Sequence, residues 1–220
     1  MIEIVIIGQN EGTHIQHMYD TLKEYPYPRV WILDRCTDNS EAQLKKLGER
    51  YQKTKKTLKG RQTSHARNLG LAACSPGSDV LFLDGDRYPV NGTLRNLETW
   101  EKDIALLLLA ENDQRQYIRN YSESVYGRVH SGFYSPGLFM RRNAIDKVLE
   151  FQSGELFSSE MQDEWGIEDV YLGDVCYHLE LTAGIYRSCS LRGLFGKTQI
   201  ESIGTIAKRF HKRDLLNVRW

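Results

Sequence analysis

The 220-residue chain carries 29 basic and 29 acidic side chains, a formal net charge of +0, with 40% hydrophobic residues. That is enough for one well-buried domain and requires no second, and the cancelling charge excludes a global field toward nucleic acid or an anionic membrane while leaving a local basic face open. The four cysteines, Cys36, Cys74, Cys176 and Cys189, show no CxxC spacing, which points to reduced, buried thiols rather than a zinc site or a disulfide framework.

The elements read in chain order as alternating strands and helices. Ile4-Val5-Ile6-Ile7 and Val30-Trp31-Ile32-Leu33 are short apolar runs bounded by turn or polar residues, the pattern of strands buried on both faces. Residues 13–24 between them have helical composition, which makes a βαβ unit. Asp38-Asn39-Ser40-Glu41 has the spacing of a capping box, with Asp38 as N-cap, and predicts a helix through about Lys56 with Leu44, Leu47 and Tyr51 on one face. A third helix is expected from Thr63 to Cys74, stopped by Ser75-Pro76-Gly77-Ser78, and leads into the apolar strand Asp79 to Asp84. Beyond Asp86 the reading is a helix near Leu94 to Lys102, a strand at Ile104 to Ala110, an aperiodic polar stretch from Glu111 to His130, a strand at Phe133 to Met140, and helices at Asn143 to Phe151 and Glu168 to Leu181. The expected fold class is α/β, one domain with a Rossmann-like, mostly parallel central sheet flanked by helices. The first strand has no basic flank or cleavage pattern, and the longest apolar run, Ile104 to Ala110, is too short for a transmembrane segment, so a soluble, cytoplasmic protein is expected.

The chemistry collects at the ends of the strands, where α/β sheets bind ligands. Asp84-Gly85-Asp86 sets two carboxylates around a glycine that lets a ligand approach the backbone. Hard oxygen ligands of this kind suit Mn2+ or Mg2+ shared with substrate phosphates, and a solvated turn before Pro89 is the simpler alternative. Gly8-Gln9-Asn10-Glu11-Gly12 offers amides and a carboxylate for a base or ribose, or forms an ordinary βα turn. Asp34, closing the second strand, can accept hydrogen bonds from a nucleotide. Arg50, Lys53, Lys55, Lys56, Lys59 and Arg61 form a basic cluster that either meets phosphates or solubilises the surface.

Taken together and in order, Ile7-Gly8-Gln9-Asn10-Glu11, Asp34-Arg35-Cys36-Thr37-Asp38-Asn39-Ser40, Ala66-Arg67-Asn68-Leu69-Gly70 and Phe82-Leu83-Asp84-Gly85-Asp86 resemble the family-2 glycosyltransferases of GT-A fold. Glu164-Trp165-Gly166-Ile167-Glu168-Asp169 is similar to the Trp-Gly-X-Glu-Asp element of such enzymes. The resemblance implies one GT-A domain over residues 1–220, with a nucleotide-sugar half at 1–90 and an acceptor half at 91–220. It implies that Gln9, Asn10, Glu11, Asp34, Arg61, Arg67, Asp84 and Gly85 bind the nucleotide sugar, and that Asp84 and Asp86, with His211 as a third ligand, hold Mn2+ or Mg2+. Asp169 is then the base that deprotonates the acceptor hydroxyl, with Glu168 binding acceptor hydroxyls; two adjacent acids at a helix start can be pushed to different proton affinities. The implied activity is transfer of a sugar from a nucleoside-diphosphate donor, a UDP-sugar first, to an acceptor hydroxyl with inversion. The acceptor stays open between a glycan, a protein and a modified nucleic-acid base. The position after Asp34, acidic in that family, is Arg35. A metal-dependent nucleotidyltransferase and a non-catalytic nucleotide- or sugar-binding module are the alternatives.

Overall fold

The computed structural model describes residues 1–55, 63–90, 93–109, 137–159 and 167–193. In chain order they form β1 (Ile2–Gly8), α1 (Ile15–Leu22), β2 (Arg29–Leu33), α2 (Ser40–Leu47), β3 (Tyr51–Lys53), α3 (Thr63–Ala72), β4 (Asp79–Asp84), β5 (Arg87–Val90), β6 (Ile104–Leu109), β7 (Gly137–Met140), α4 (Arg142–Phe151), α5 (Ile167–His178) and β8 (Ala183–Gly193). The strands make one mixed sheet in the order β3-β2-β1-β4-β7-β6-β8-β5. β3, β2, β1 and β4 run parallel, β6 and β8 pair in parallel, and β7 and β5 enter antiparallel.

The apolar runs fold this way because a strand sends successive side chains to opposite faces. Ile4, Ile6, Trp31, Leu33, Leu81 and Leu83 pack with Ile15, Met18, Leu22 and Leu44 of α1 and α2 on one side. Val5, Ile7, Val30, Ile32, Val80 and Phe82 pack on the other side with residues of α3, α4 and α5, among them Ala66, Ile145 and Val175. A sheet covered on both faces needs continuous hydrophobic strands, which is what β1 and β4 supply. Gly70 lets α3 lie against β1: a Cβ there would fall 2.2 Å from Val5 Cγ1 and 3.2 Å from Ile32 Cγ1.

At the amino end of the sheet, Glu3 is 1% exposed yet fully engaged. It accepts from the Ser75 N–H (2.6 Å), the Ser78 hydroxyl (2.9 Å) and the Arg50 guanidinium (3.0 Å). Burial pushes its carboxyl upward, and these hydrogen bonds more than reverse that, leaving it below the ordinary range. Glu3 thereby fastens the α3–β4 loop and the approach to β3 onto β1.

Several boundaries differ from the sequence reading. α2 stops at Leu47 instead of running to Lys56, because Gly48 takes a left-handed φ of 70° and its N–H turns back to the carbonyls of Leu44 and Lys45. Tyr51, read as a helical position, instead pairs with Trp31 as the start of β3. Asp38 caps α2 from one residue outside the expected place: its Oδ1 accepts from the N–H and hydroxyl of Ser40, and Asn39 holds the N-cap position. The helix expected at Leu94 to Lys102 is only a 3-10 turn, Arg95–Leu97, after which Trp100 donates its ring N–H to the Ile104 carbonyl. α3 and α5 end two and three residues early, and β5 and β8 were not foreseen. Pro89 fits β5 because that strand is the outermost of the sheet. Cys36, Cys74 and Cys176 are free thiols, the last fully buried. Among the described residues no helix is long and apolar enough to cross a membrane.

Gly70→Ala is expected to destabilise the protein by about 1–3 kcal/mol through overpacking between α3 and β1, read from urea unfolding, and Gly70→Ala combined with Val5→Ala should cost less than the sum of the two changes.

Candidate active site

Strand order changes direction at the β1–β4 boundary, so a crevice opens outside the carboxyl ends of these two strands. β1 ends in Gly8, and Gly85 follows the last residue of β4. Gly85 donates its N–H to the Ile7 carbonyl at 2.7 Å, and a Cβ on Gly85 would meet Gly8 Cα at 3.2 Å and Glu11 Cγ at 3.1 Å. A Cβ on Gly8 would lie 2.7 Å from Glu11 Cγ. The missing side chains therefore seat Glu11 over the strand ends, beside Asp84.

Three carboxylates crowd this point. Burial raises the Glu11 carboxyl above its ordinary value, the His14 hydrogen bond at 2.7 Å opposes the rise, and the charges of Asp84 and Asp38 add to it. Asp86 is pushed up to about 6, first by burial and next by Asp84, against the pull of Arg87, whose Nε stands 3.6 Å from Asp86 Oδ1. Mutual repulsion of crowded acids is relieved by a cation, and hard carboxylate oxygens suit Mg2+ or Mn2+. Among the described residues no group of three His, Cys, Asp or Glu closes around a metal. The donor set fits an ion held by Asp84 and Asp86 and completed by substrate phosphates, the usual habit of Mg2+.

Arg67, 3% exposed, reaches from α3 into the same crevice. One terminal nitrogen donates to Asp169 Oδ1 of α5 at 2.8 Å, the other lies 3.6 Å from Asp84 Oδ1, and the guanidinium stacks 5.1 Å above the centroid of the Phe157 ring. Asn68 holds that ring in position: its amide donates to the Phe157 carbonyl at 2.7 Å and accepts the Phe157 N–H at 3.0 Å. One arginine thus joins the Asp-X-Asp turn to the acid at the start of α5.

On the far side of β1, Asp34 follows β2 and is 8% exposed. Its Oδ1 accepts from Arg35 Nε at 2.9 Å and the Thr54 hydroxyl at 2.7 Å, and its Oδ2 accepts from the other end of the Arg35 guanidinium at 2.8 Å. Asn10, at φ 63°, braces the neighbouring loop by accepting from the Thr37 N–H at 2.8 Å. Gln9 is exposed at the mouth.

Of the residues singled out in the sequence, Glu11, Asp84, Gly85, Asp86, Arg67 and Asp169 are linked through direct contacts and mutual electrostatics. Gln9, Asn10 and Asp34 sit on the adjoining loops. Arg61, His211, the Trp165-Gly166 dipeptide and the Glu168 side chain lie outside the described residues. His14, Thr54, Arg87 and Phe157 take part without having been singled out, and Asn68 was quoted only as part of the motif around Arg67. The spacing of His14 three residues after Glu11 was a usable signal, while Thr54 and Phe157 reach the site only through tertiary contacts.

No protein-family model and no curated protein matches the chain. Solved structures do. It superposes on TarS 1–349 from S. aureus with a TM-score of 0.62 at 18% identity, covering 98% of this chain and 67% of that one. Glucosyl-3-phosphoglycerate synthase from Mycobacterium tuberculosis gives 0.65 at 17% identity in its phosphoglyceric acid complex, covering 98% and 81%. The same enzyme bound to Mn2+, UDP-glucose and phosphoglyceric acid gives 0.63 at 16%, covering 94% and 76%. These superpositions establish the architecture alone: the fold is that of GT-A glycosyltransferase domains, as the sequence resemblance implied.

A raised carboxyl pKa means the folded state holds the proton more tightly than the unfolded chain. The cost of ionising Asp86 is therefore absent below its unfolded value of 3.8, grows up to about 6 and is fully present above that. Asp86→Asn should raise the metal-free melting stability at pH 7.5 by about 2 kcal/mol and leave it nearly unchanged at pH 4, checked by denaturant titration at both pH values. Arg67→Met should cost about 3 kcal/mol by stranding Asp169, and pairing it with Asp169→Asn should recover a large part of that loss in a double-mutant cycle.

Proposed function

We propose that the chain is a metal-dependent glycosyltransferase that moves a sugar from a nucleoside-diphosphate donor, a UDP-sugar, to an acceptor hydroxyl with inversion. The observation that carries this reading is the bridge Asp84–Arg67–Asp169, which links an acidic, cation-seeking turn to a carboxylate on a separate helix across one crevice. Transfer from a nucleotide sugar needs charge neutralisation at the leaving diphosphate and a base near the incoming hydroxyl. The glucosyl-3-phosphoglycerate synthase complexes contain Mn2+ or Mg2+ with UDP, or Mn2+ with UDP-glucose, which supports the same ligand class here.

In this reading residues 1–90 hold the donor and 91–220 the acceptor. Asp84 and Asp86 hold the cation, with His211 as a further ligand; when bound, the ion supplies Lewis-acid stabilisation of the diphosphate. Gln9, Asn10, Glu11, Asp34 and Arg61 bind the nucleotide sugar, and Gly85 leaves room for the diphosphate to approach the backbone. Arg67 supplies positive charge at the wall between donor and acceptor. Asp169, held by Arg67 through Oδ1, accepts the proton of the acceptor hydroxyl, and Glu168 orients that acceptor.

A thermal-shift panel of nucleoside diphosphates and nucleotide sugars with Mn2+ tests the donor site. Stabilisation by a UDP-sugar is expected only with the ion, and Asp84→Asn or Asp86→Asn should abolish it; stabilisation that survives both changes sinks the metal-bridged reading. With water as the acceptor, UDP release should fall about 100-fold or more in Asp169→Asn while the Mn2+–UDP thermal shift is kept. Release of pyrophosphate from a nucleoside triphosphate would instead mark a nucleotidyltransferase.

A further inference from the structure

We infer that Arg35 is a specificity-determining residue of the donor site, one that weakens selection for bases carrying a ring N–H by occupying the Asp34 carboxylate. The inference rests on the donor reading above. Asp84 pairs in register with Ile7, and Leu33, the residue before Asp34, pairs with Gly8, so the two aspartates flank the carboxyl end of β1 from opposite sides. Two strand spacings separate them, roughly 10 Å. On the donor reading, a ligand whose diphosphate lies at Asp84 and whose nucleoside crosses Gly8 brings its base to Asp34.

Asp34 is the buried acceptor at that end, and its capacity is largely used. A carboxylate has about four lone-pair positions. Arg35 Nε and the Thr54 hydroxyl fill two on Oδ1, and the other end of the Arg35 guanidinium takes one on Oδ2. The backbone supports this arrangement. Arg35 sits at φ 51°, a left-handed conformation that non-glycine residues rarely adopt, and its N–H donates to Thr54 Oγ1 at 3.1 Å. Thr54 in turn is 5% exposed and anchored by its own N–H to the Leu33 carbonyl. Arg35 and Asp34 are thus held face to face by the end of β3, not by chance contact of two surface side chains.

The chemical consequence separates two bases of nearly the same shape. Uracil presents a ring N–H where cytosine presents a ring lone pair. An open Asp34 would accept from uracil and repel cytosine, and an Asp34 whose charge is already engaged by a guanidinium separates the two only weakly. Removing Arg35 should uncover the acceptor, and a hydrogen bond to a charged partner is worth about tenfold or more in affinity.

The test titrates UDP and CDP, each with Mn2+, against the wild-type chain, Arg35→Ala, Arg35→Gly and Asp34→Ala/Arg35→Ala by calorimetry. Arg35→Gly is included because glycine suits φ 51° and keeps the loop conformation. The wild-type chain should separate UDP from CDP by only a few-fold. Both single variants should bind UDP about tenfold more tightly and CDP no more tightly than the wild-type chain, and the double variant should close the gap again. A UDP/CDP ratio that stays the same in both single variants, or an equal loss for both nucleotides, overturns the inference while leaving the donor site standing. Binding of neither nucleotide by any of the four proteins overturns the donor reading and this inference with it.

Discussion

A guanidinium that is 3% exposed is the constraint around which the rest of this molecule is arranged. Taking such a charge out of water costs several kcal/mol unless its partners are close and well placed. Here three elements supply them: β4 ends in Asp84, the first turn of α5 carries Asp169, and the segment before α5 lays the Phe157 ring under the cation. Asn68, next in sequence, clips the backbone of Phe157 with two hydrogen bonds, so one turn of α3 provides both the charge and the clamp that shapes its surroundings. Gly70, one turn further on, lets that helix sit deep enough against β1 for the arginine to arrive where it does.

The acidic turn is a second consequence of close packing. With Gly8 closing β1 and Gly85 following β4, Glu11 comes close to Asp84 and Asp86, and burial of Glu11 and Asp86 denies those two the solvent that would screen their charges. Arg67 and Arg87 offset part of this, each standing 3.6 Å from one of the aspartates. The remainder is an electrostatic strain that a divalent cation bound there would relieve. The architecture is shared with GT-A domains at 16–18% identity, which suits a fold whose hydrophobic strands tolerate exchange among Ile, Val and Leu.

Much of the framework was legible because β1, β2 and β4 are buried on both faces and read as unbroken apolar runs, and because α3 is bracketed by a Pro-Gly turn. The Asp84-Gly85-Asp86 turn and Arg67 stood out for the same local reasons. Gly48 carried its stop signal in plain view, but the spacing of Leu44, Leu47 and Tyr51 imitates a helix and Tyr51 in fact opens a strand. β5 is four residues long and contains a proline, and β8 derives its strand character from pairing with β6 and β5 on either side. The Arg67–Asp169 pair spans 102 residues, and Thr54 reaches Asp34 only because β3 docks beside β2. Contacts of that kind have no local period or motif, so they become visible only when the sheet order is known.

Glu3 and Glu11 lie near opposite ends of one strand, and they differ in a way that polarises the molecule. At the amino end a buried carboxylate is sated: every approach to it is a donor, and it holds its charge more firmly than a free side chain. At the carboxyl end the acids are kept hungry by their neighbours. β1 therefore runs from a carboxylate whose ionisation supports the fold to carboxylates whose ionisation costs it stability. A charge removed at the first pole loosens the sheet, whereas one removed at the second tightens the fold.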